Sequence, residues 1–265
     1  MYSKFQLAKK YLHYYITAEN GHGHGIHSPF VFDYIKNVLN DEKKYPAYSL
    51  IENLRKQLLT GKTIINVEDF GAGSIVSKTK QRSISEIAHH AAKSKKYAQL
   101  IYRIVNYYQP KNCIELGTSL GISTAYIASA NNDAKIFTLE GSPEIAKAAS
   151  NNFTKLNLKN ISLITGNFDE TLSQTLIKSG KTDFAFIDGN HREEPTLHYF
   201  SELLINANQS SIFIFDDIHW SAEMESAWQK IKEHPQVLLT VDLFFIGVVF
   251  LKNDFKHKQH FTIRF

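Results

Sequence analysis

The chain from residue 96 onward alternates short apolar runs with segments of helical periodicity. Seven apolar runs have the length and composition of β-strands, and helical segments separate the first five. In chain order the runs are NCIELG, KIFTLEG, ISLITG, FAFIDG, SIFIFDD, VLLTVDLF and GVVFL. Strands that alternate with helices indicate a parallel sheet, because a parallel connection needs a helix-length return. The pattern predicts an α/β core over residues 96–265, with seven mostly parallel strands and an antiparallel C-terminal edge.

Residues 1–95 follow a different pattern. Apolar residues recur at helical spacing in three stretches, residues 4–16, 29–40 and 48–59, which predicts an N-terminal helical extension. A polar, glycine-containing segment, VEDFGAGSIVSKTKQRSIS at residues 67–85, follows them. Its composition predicts an exposed or ligand-ordered loop.

Composition and charge narrow the class of protein. Hydrophobic residues make up 43% of the chain and charged residues 21%, which is typical of a folded globular protein and excludes a disordered one. The longest apolar run, Leu243 to Leu251, is shorter than the about 20 residues that a membrane helix needs. Thirty basic residues against 26 acidic ones give a net charge of +4, a mild bias that makes nucleic-acid binding a minor alternative. With no membrane segment, no signal peptide at the start and a single cysteine, Cys113, we expect a cytoplasmic protein.

The first predicted strand of the core runs into a glycine-containing turn, ELGTSLGIST at residues 115–124. Gly117 and Gly121 allow a tight turn and a close approach to a ligand, and the following helix start offers unpaired N–H groups. The turn lacks the Gly-x-Gly-x-x-Gly spacing of a loop that binds pyrophosphate. Glu140 ends the second strand about 20 residues further on, where a carboxylate can accept hydrogen bonds from ribose hydroxyls. These features favour a nucleoside ligand.

Further carboxylates end the later strands of the core. Asp188 follows the fourth strand, and Asp216 and Asp217 follow the fifth within IFIFDDIHW. Ligands of such sheets bind at the carboxyl ends of the strands. Two adjacent carboxylates repel each other, and a bound positive charge at this edge would offset that repulsion.

These motifs resemble those of class I S-adenosylmethionine-dependent methyltransferases, and among them the small-molecule O-methyltransferases. The resemblance covers about residues 97–265 and is carried by IELGTSLGISTAYIA, IFTLEGSPE, FAFIDGNH and IFIFDDIHW. It implies a Rossmann-like core and S-adenosylmethionine as cofactor, with the glycine turn around its amino-acid part, Glu140 on the ribose, and TGNFDE beside the adenine. The implied cofactor-binding residues are Glu115, Gly117, Thr118, Ser119, Gly121, Glu140, Gly166, Asn167, Phe168 and Asp188.

The metal-using branch of this family implies a cation site at Asp188, Asp216 and Asp217. Mg²⁺ suits these oxygen ligands, and a bound cation would help a hydroxyl lose its proton. The catechol type carries a lysine three residues after the first aspartate, where this chain has His191, and a histidine can also accept a proton near pH 7. His191, Asp188 and His219 are therefore the candidate catalytic residues.

Other roles stay open for the same residues. Asp216 could cap the next helix, Asp188 could form an Asx turn, and both could contact the cofactor or substrate without a metal. His219 could be a hydrogen-bonding loop residue, and Trp220 a pocket wall or a core residue. In GHGHGIHSPF the three histidines could bind a transition metal, but a loop that closes over the cofactor fits its glycines better.

The predicted function is methyl transfer from S-adenosylmethionine to a hydroxyl of a small molecule. Mg²⁺ is a candidate metal for assisting this reaction. One alternative is an RNA or protein methyltransferase on the same core, favoured by the lysine-rich residues 78–96 and opposed by the lack of an NPPY-like tetrapeptide after the fourth strand. Another is a non-catalytic nucleoside-binding scaffold. The aromatic-rich extension could also mediate a homodimer.

Overall fold

A computed structural model of the protein describes residues 1–68, 81–252 and 255–265. The chain packs into two compact units. The first unit consists of Met1–Asp41 and Lys181–Phe265, and the second unit of Glu42–Gly180. In the described ranges, no helix combines the length and the apolar character needed to cross a membrane.

The second unit is an α/β arrangement around three parallel strands. Its elements are α3 (Pro46–Leu59), β1 (Ile64–Asn66), β2 (Gln81–Ser83), α4 (Ile84–Ala91), α5 (Lys95–Tyr108), β3 (Asn112–Leu116), α6 (Ile122–Ala130), β4 (Lys135–Glu140), α7 (Pro143–Lys155), β5 (Ile161–Thr165) and α8 (Phe168–Ser179). Strand β4 pairs in parallel with β3 on one side and β5 on the other, while β1 and β2 form a separate antiparallel pair. The three carboxyl ends therefore lie at one edge, after residues 116, 140 and 165.

The first unit holds five strands. Its elements are α1 (Lys4–Thr17), α2 (Pro29–Tyr34) continued by a π-helical turn (Ile35–Leu39), β6 (Thr182–Ile187), α9 (Glu193–Ile205), β7 (Ala207–Asp216), α10 (Ala222–Glu233), β8 (Leu239–Asp242), β9 (Ile246–Phe250) and β10 (Gln259–Thr262). Their order is β10-β8-β9-β7-β6. Strand β9 runs antiparallel to both β7 and β8, whereas β6 is parallel to β7 and β10 is parallel to β8.

Apolar side chains on both faces of the strands explain their burial. Adjacent residues, which face opposite sides of a strand, are both buried in Phe184 and Ala185 of β6 and in Phe213 and Ile214 of β7, as expected for inner strands that are covered on both sides. Cys113 on β3 is also buried.

The N-terminal segment is built into the first unit. Helix α1 begins with a capping box between Ser3 and Gln6, and its buried face packs Tyr14 against Phe244. The Tyr14 hydroxyl donates to the backbone oxygen of Ile263, and Glu19 forms a parallel bridge with the same residue. Contacts with Phe244 and Ile263 therefore hold the N-terminal segment in place.

The structure confirms the predicted α/β fold class, with helices where the N-terminal periodicity places them, but it adds a strand. Apart from the β1–β2 pair, the described residues form eight strands instead of seven, five in the first unit and three in the second. Strand β10 (QHFT) went unrecognised because it is short and polar, with one face half-buried and the other exposed. The expected antiparallel pairing towards the C-terminal edge is confirmed for β9, which runs antiparallel to β7 and β8, while the outermost strand β10 is parallel to its neighbour β8.

The loop predicted at residues 67–85 is partly replaced by regular structure. Residues 81–83 form β2, and Ser83 caps α4 through a capping box with Glu86. Residues 69–80, with most of the glycine-containing segment and the lysines at 78 and 80, lie outside the described residues. The domain boundary at residue 95 stays a prediction.

Candidate active site

The turn after β3 needs glycine at two positions. Gly117 and Gly121 have φ angles of 99° and 80°, in the region that side chains disfavour. The backbone N–H groups of Gly117 and Thr118 donate to the Leu139 oxygen at 3.0 and 3.1 Å. A Cβ atom at Gly121 would lie 2.4 Å from the buried Phe153 ring. We call residues 117–121 the glycine turn, and its shape is fixed by these contacts.

Glu140, the last residue of β4, is tied to the glycine turn. One carboxylate oxygen accepts from the Ser119 N–H at 2.8 Å, and the other accepts from the Ser142 N–H at 2.9 Å. The side chain is half-buried, and each carboxylate oxygen can accept more than one hydrogen bond. Glu140 is therefore held in one orientation at the carboxyl end of its strand, where it can bind neighbouring hydroxyls.

Two of the predicted cofactor-binding side chains lie beneath the glycine turn. Glu115 is fully buried and accepts hydrogen bonds from the hydroxyls of Thr124 and Thr138, the latter at 2.7 Å. The Thr118 hydroxyl is also buried and lies 2.6 Å from that of Thr138. The side chains of Glu115 and Thr118 therefore help to shape the turn, and their contact with a cofactor stays a prediction.

The segment after β5 joins the same edge. The Gly166 N–H donates to the backbone oxygen of Glu140 at 2.9 Å. Asn167 caps helix α8 by accepting from the Asp169 N–H at 3.3 Å, and the half-buried Phe168 ring follows it. The structure thus places Gly166 beside Glu140, and Asn167 and Phe168 follow it at the start of α8.

In the first unit, two carboxylates and an imidazole converge at the ends of β6 and β7. Asp188, His191 and Asp216 each place one potential ligand atom within 4.8 Å of the others. The distance between Asp188 Oδ1 and His191 Nε2 is 3.4 Å. Asp216 is 2% exposed, whereas the Asp188 and His191 side chains are 15% and 26% exposed. We call these three residues the acid–histidine group.

A left-handed turn carries His191 back to the end of β6. Asn190 and His191 have φ angles of 69° and 48°, and the His191 N–H donates to the Gly189 oxygen at 2.9 Å. The Asn190 amide donates to the Tyr199 hydroxyl and accepts from Arg192. Sequence reasoning missed this anchoring role of Asn190, although asparagine in DGNH is a recognisable signal for a left-handed turn.

Asp217 is not part of this group, so the predicted ligand trio is not the one that the structure assembles. Strand β7 ends at Asp216, and Asp217 follows it with a left-handed φ of 53°. Its N–H donates to the Phe245 oxygen at 2.7 Å. The capping role considered for Asp216 is wrong as well, because Ser221 caps helix α10. Among the described residues His191, not Asp217, completes the set with Asp188 and Asp216.

His219, the third candidate catalytic residue, is held on both ring nitrogens. Nδ1 lies 3.0 Å from a Glu225 oxygen and Nε2 lies 2.8 Å from an Asp242 oxygen, and the ring stacks on Phe244. Burial lowers the His219 pKa, but the hydrogen bonds and charges of Asp242 and Glu225 outweigh burial and raise the pKa above 6.5. His219 is therefore a hydrogen-bonding loop residue, and we do not assign it a catalytic role.

The histidines of the Gly/His segment do not gather around a common point. His22, His24 and His27 are exposed, and among the described residues three potential ligand atoms converge in the acid–histidine group alone. Trp220 is half-buried, and its backbone oxygen accepts from the Tyr2 N–H.

Part of the chain is similar in sequence to known methyltransferases. Residues 114–218 match a family model described as a methyltransferase domain. A catechol O-methyltransferase of Niastella koreensis is 29% identical over 126 residues, which are 46% of this chain and 55% of that protein. The chain thus aligns with about half the length of this curated relative.

Solved structures share the fold. A methyltransferase of Podospora anserina with bound S-adenosylhomocysteine has a TM-score of 0.57 at 14% identity, over 84% of this chain and 95% of that one. An O-methyltransferase of Bacillus cereus in complex with the same compound has a TM-score of 0.54 at 18% identity, over 83% and 97% of the two chains. Residues 114–218 therefore match a methyltransferase domain, and the chain shares its fold with solved O-methyltransferases.

Proposed function

We propose that the protein transfers a methyl group from S-adenosylmethionine to a hydroxyl oxygen of a small molecule. The observation that carries this proposal is the Glu140 carboxylate, fixed by the Ser119 and Ser142 N–H groups beside the glycine turn. The donors and acceptors around it fit a nucleoside, and the methyltransferase domain match covers the same segment. When bound, S-adenosylmethionine supplies the methyl group as part of a sulfonium.

Each part of this edge has a role in holding the cofactor. Glu140 accepts hydrogen bonds from the two ribose hydroxyls, and the glycine turn lets the backbone approach the amino-acid part. Phe168 and Asn167 provide an apolar face and a polar edge for the adenine. These groups are fixed before binding, which limits the entropy lost on association.

The acid–histidine group has the donor set that an acceptor hydroxyl requires. The Asp188 and Asp216 carboxylates can accept a hydrogen bond from the hydroxyl and orient its oxygen. Two oxygens and one imidazole nitrogen also fit a divalent cation, and Mg²⁺ is the cation that the family resemblance implies. A bound cation would lower the pKa of the acceptor hydroxyl. Orientation of the oxygen towards the methyl group accounts for much of the rate in such an in-line transfer.

One relative supports a particular class of acceptor. The curated relative is a catechol O-methyltransferase, which favours a small molecule that carries one or more hydroxyls. Catechol-bearing acceptors are therefore the first compounds to test.

The cofactor part is tested by isothermal titration with S-adenosylhomocysteine. We expect micromolar binding, and Glu140→Gln should weaken it about 10- to 100-fold because a charge-assisted hydrogen bond is worth about 1.5–3 kcal/mol. Asp133→Asn is the matched control, since Asp133 is exposed and precedes β4 at its opposite end. Absence of binding by the unmodified chain would contradict the proposal, and methyl transfer to a catechol panel then tests the acceptor.

A further inference from the structure

The third member of the acid–histidine group changes the chemistry of the site. A magnesium site in a protein is built from oxygen ligands, with several waters retained. Imidazole nitrogen, in contrast, favours first-row transition metals, whose affinity for a mixed N/O site generally rises from Mn²⁺ towards Cu²⁺. With His191 in place of a third oxygen ligand, the donor set matches the second class of ion.

The distance between Asp188 and His191 fits direct ligation by the imidazole. His191 Nε2 lies 3.4 Å from Asp188 Oδ1, which is longer than the about 2.9–3.0 Å of a typical N–H···O hydrogen bond. Ligand atoms that bind one zinc-like ion at about 2.0–2.2 Å can be separated by up to about 4.4 Å. The separation between Asp188 and His191 is therefore compatible with two ligands of one ion.

The backbone holds His191 in this position. Two consecutive left-handed residues, Asn190 and His191, are uncommon outside glycine and need support from their surroundings. The Asn190 side chain provides that support through the buried Tyr199 and through Arg192. The imidazole is thus positioned at the end of β6 by local structure, as metal-binding side chains need to be.

The three residues of the acid–histidine group differ in their exposure to solvent. Asp216 is almost completely buried, while Asp188 and His191 remain partly exposed. Catalytic metal sites combine three protein ligands with an open position for water or substrate. The graded exposure fits that arrangement.

We propose that Asp188, His191 and Asp216 bind a first-row transition-metal dication in preference to Mg²⁺, with His191 Nε2 as a ligand. The inference rests on the proposed function, in which this group receives the acceptor hydroxyl. His191 is then a metal ligand and not the proton acceptor, and the proton of the acceptor passes to a carboxylate or to solvent.

The experiment measures metal affinity on the full chain by competition with a chromophoric chelator, using Co²⁺, Zn²⁺ and Mg²⁺ separately. We expect Co²⁺ and Zn²⁺ to bind more tightly than Mg²⁺. His191→Gln should weaken Co²⁺ binding at least about 10-fold and alter the Co²⁺ absorption spectrum, with little effect on Mg²⁺. The control is His198→Gln, because His198 is an exposed histidine on α9 that pairs with Glu202 and lies outside the group.

A second variant separates ligation from charge. His191→Lys supplies a positive charge near the two carboxylates but no imidazole, so it should lose Co²⁺ affinity as His191→Gln does. Equal Co²⁺ affinity in the unmodified chain and both variants would overturn the inference, as would tighter binding of Mg²⁺ than of Co²⁺ or no metal binding at all.

S-adenosylhomocysteine affinity, measured on the same preparations, tells the two proposals apart. If metal preference fails while S-adenosylhomocysteine still binds, only the inference about His191 is lost. If S-adenosylhomocysteine does not bind, the proposed function fails whatever the metal result. Thermal unfolding of each variant shows whether it is folded, and Asp188→Asn, which keeps the shape of the side chain, serves as a further ligand variant should His191→Gln not fold.

Discussion

At the scale of single residues, positive φ angles occur in the two turns that carry candidate site residues. Gly117, Ser119 and Gly121 turn the chain after β3, and Asn190 with His191 turns it after β6. Left-handed residues other than glycine are uncommon and cluster at functional sites. Ser119, Asn190 and His191 follow the carboxyl ends of parallel strands, where ligands bind in such sheets, whereas Gln109 and Asn157 follow helices.

Gly121 gives the sharpest residue-scale prediction. Gly121→Ala combines a left-handed φ with a Cβ atom 2.4 Å from the buried Phe153 ring, so we expect a loss of about 2–4 kcal/mol in unfolding free energy, as for an overpacked core. S-adenosylhomocysteine affinity should fall at least about 10-fold, because the glycine turn is displaced. Urea unfolding and titration calorimetry measure the two effects.

Gly25→Ala is the control for backbone strain alone. Gly25 has a similar φ of 85°, but an added Cβ atom there meets nothing within 4 Å. Its cost should stay near about 1–2 kcal/mol. Equal losses for the two variants would show that the Phe153 contact does not restrict the turn.

At the scale of elements, charged side chains join α1, α10 and β8 around His219. Glu225 of α10 accepts from Tyr2 at 2.7 Å and pairs with Lys10 of α1 at 3.0 Å. His219 bridges Glu225 and Asp242, and Asp242 also accepts from the Trp228 indole at 3.2 Å. Partly buried networks of this kind are screened less than surface pairs, so they contribute to how the first unit holds α1.

This network predicts a pH dependence of stability. The His219 pKa is raised in the folded protein, so its contribution is complete below the unfolded value of about 6.5 and is lost as pH rises through the folded value. Burial raises the Glu225 pKa, but hydrogen bonds from Tyr2, Lys10 and His219 outweigh burial and lower it. The Glu225 contribution is therefore present above about pH 4.5 and is lost as pH falls through the folded value.

His219→Gln should remove the alkaline part of this dependence. Unfolding free energy measured from pH 5 to pH 9 should decline less steeply above about pH 6.5 in the variant than in the unmodified chain. His13→Gln on the exposed face of α1 is the matched control and should leave the profile unchanged. Parallel profiles for all three proteins would show that His219 titrates alike in the folded and unfolded states.

At the scale of the whole molecule, the net charge of +4 bears on whether the substrate is a small molecule or a nucleic acid. Thirty basic side chains are nearly balanced by 26 acidic ones, so we expect no retention on single-stranded RNA even at low salt. Filter binding over a salt series measures this. Tight binding that falls steeply with salt concentration would instead favour an RNA substrate, because each phosphate contact releases counterions. The homodimer and the closing of the N-terminal loop over the cofactor stay predictions.

Much of the fold follows from local pattern. The alternation of strands and helices predicts the α/β class, since continuous apolar runs such as FAFIDG can be satisfied only by burial on both faces. The position of Glu140 at the end of its strand follows from the same pattern, because a strand that ends in a charge places that charge at the sheet edge. Strand β10 escapes such reasoning because a short polar strand is defined by its pairing with β8 rather than by its own residues.

The sequence by itself determined which strands carry acids at their carboxyl ends and which turn needs glycine, because both depend on neighbouring residues. Only the tertiary structure decided that His191 joins Asp188 and Asp216 while Asp217 does not, and that His219 is held by Asp242 and Glu225. The reason is that convergence of side chains depends on backbone turns and on pairing between residues far apart in the chain. His219 and Asp242 are 23 positions apart, and no local pattern encodes their meeting.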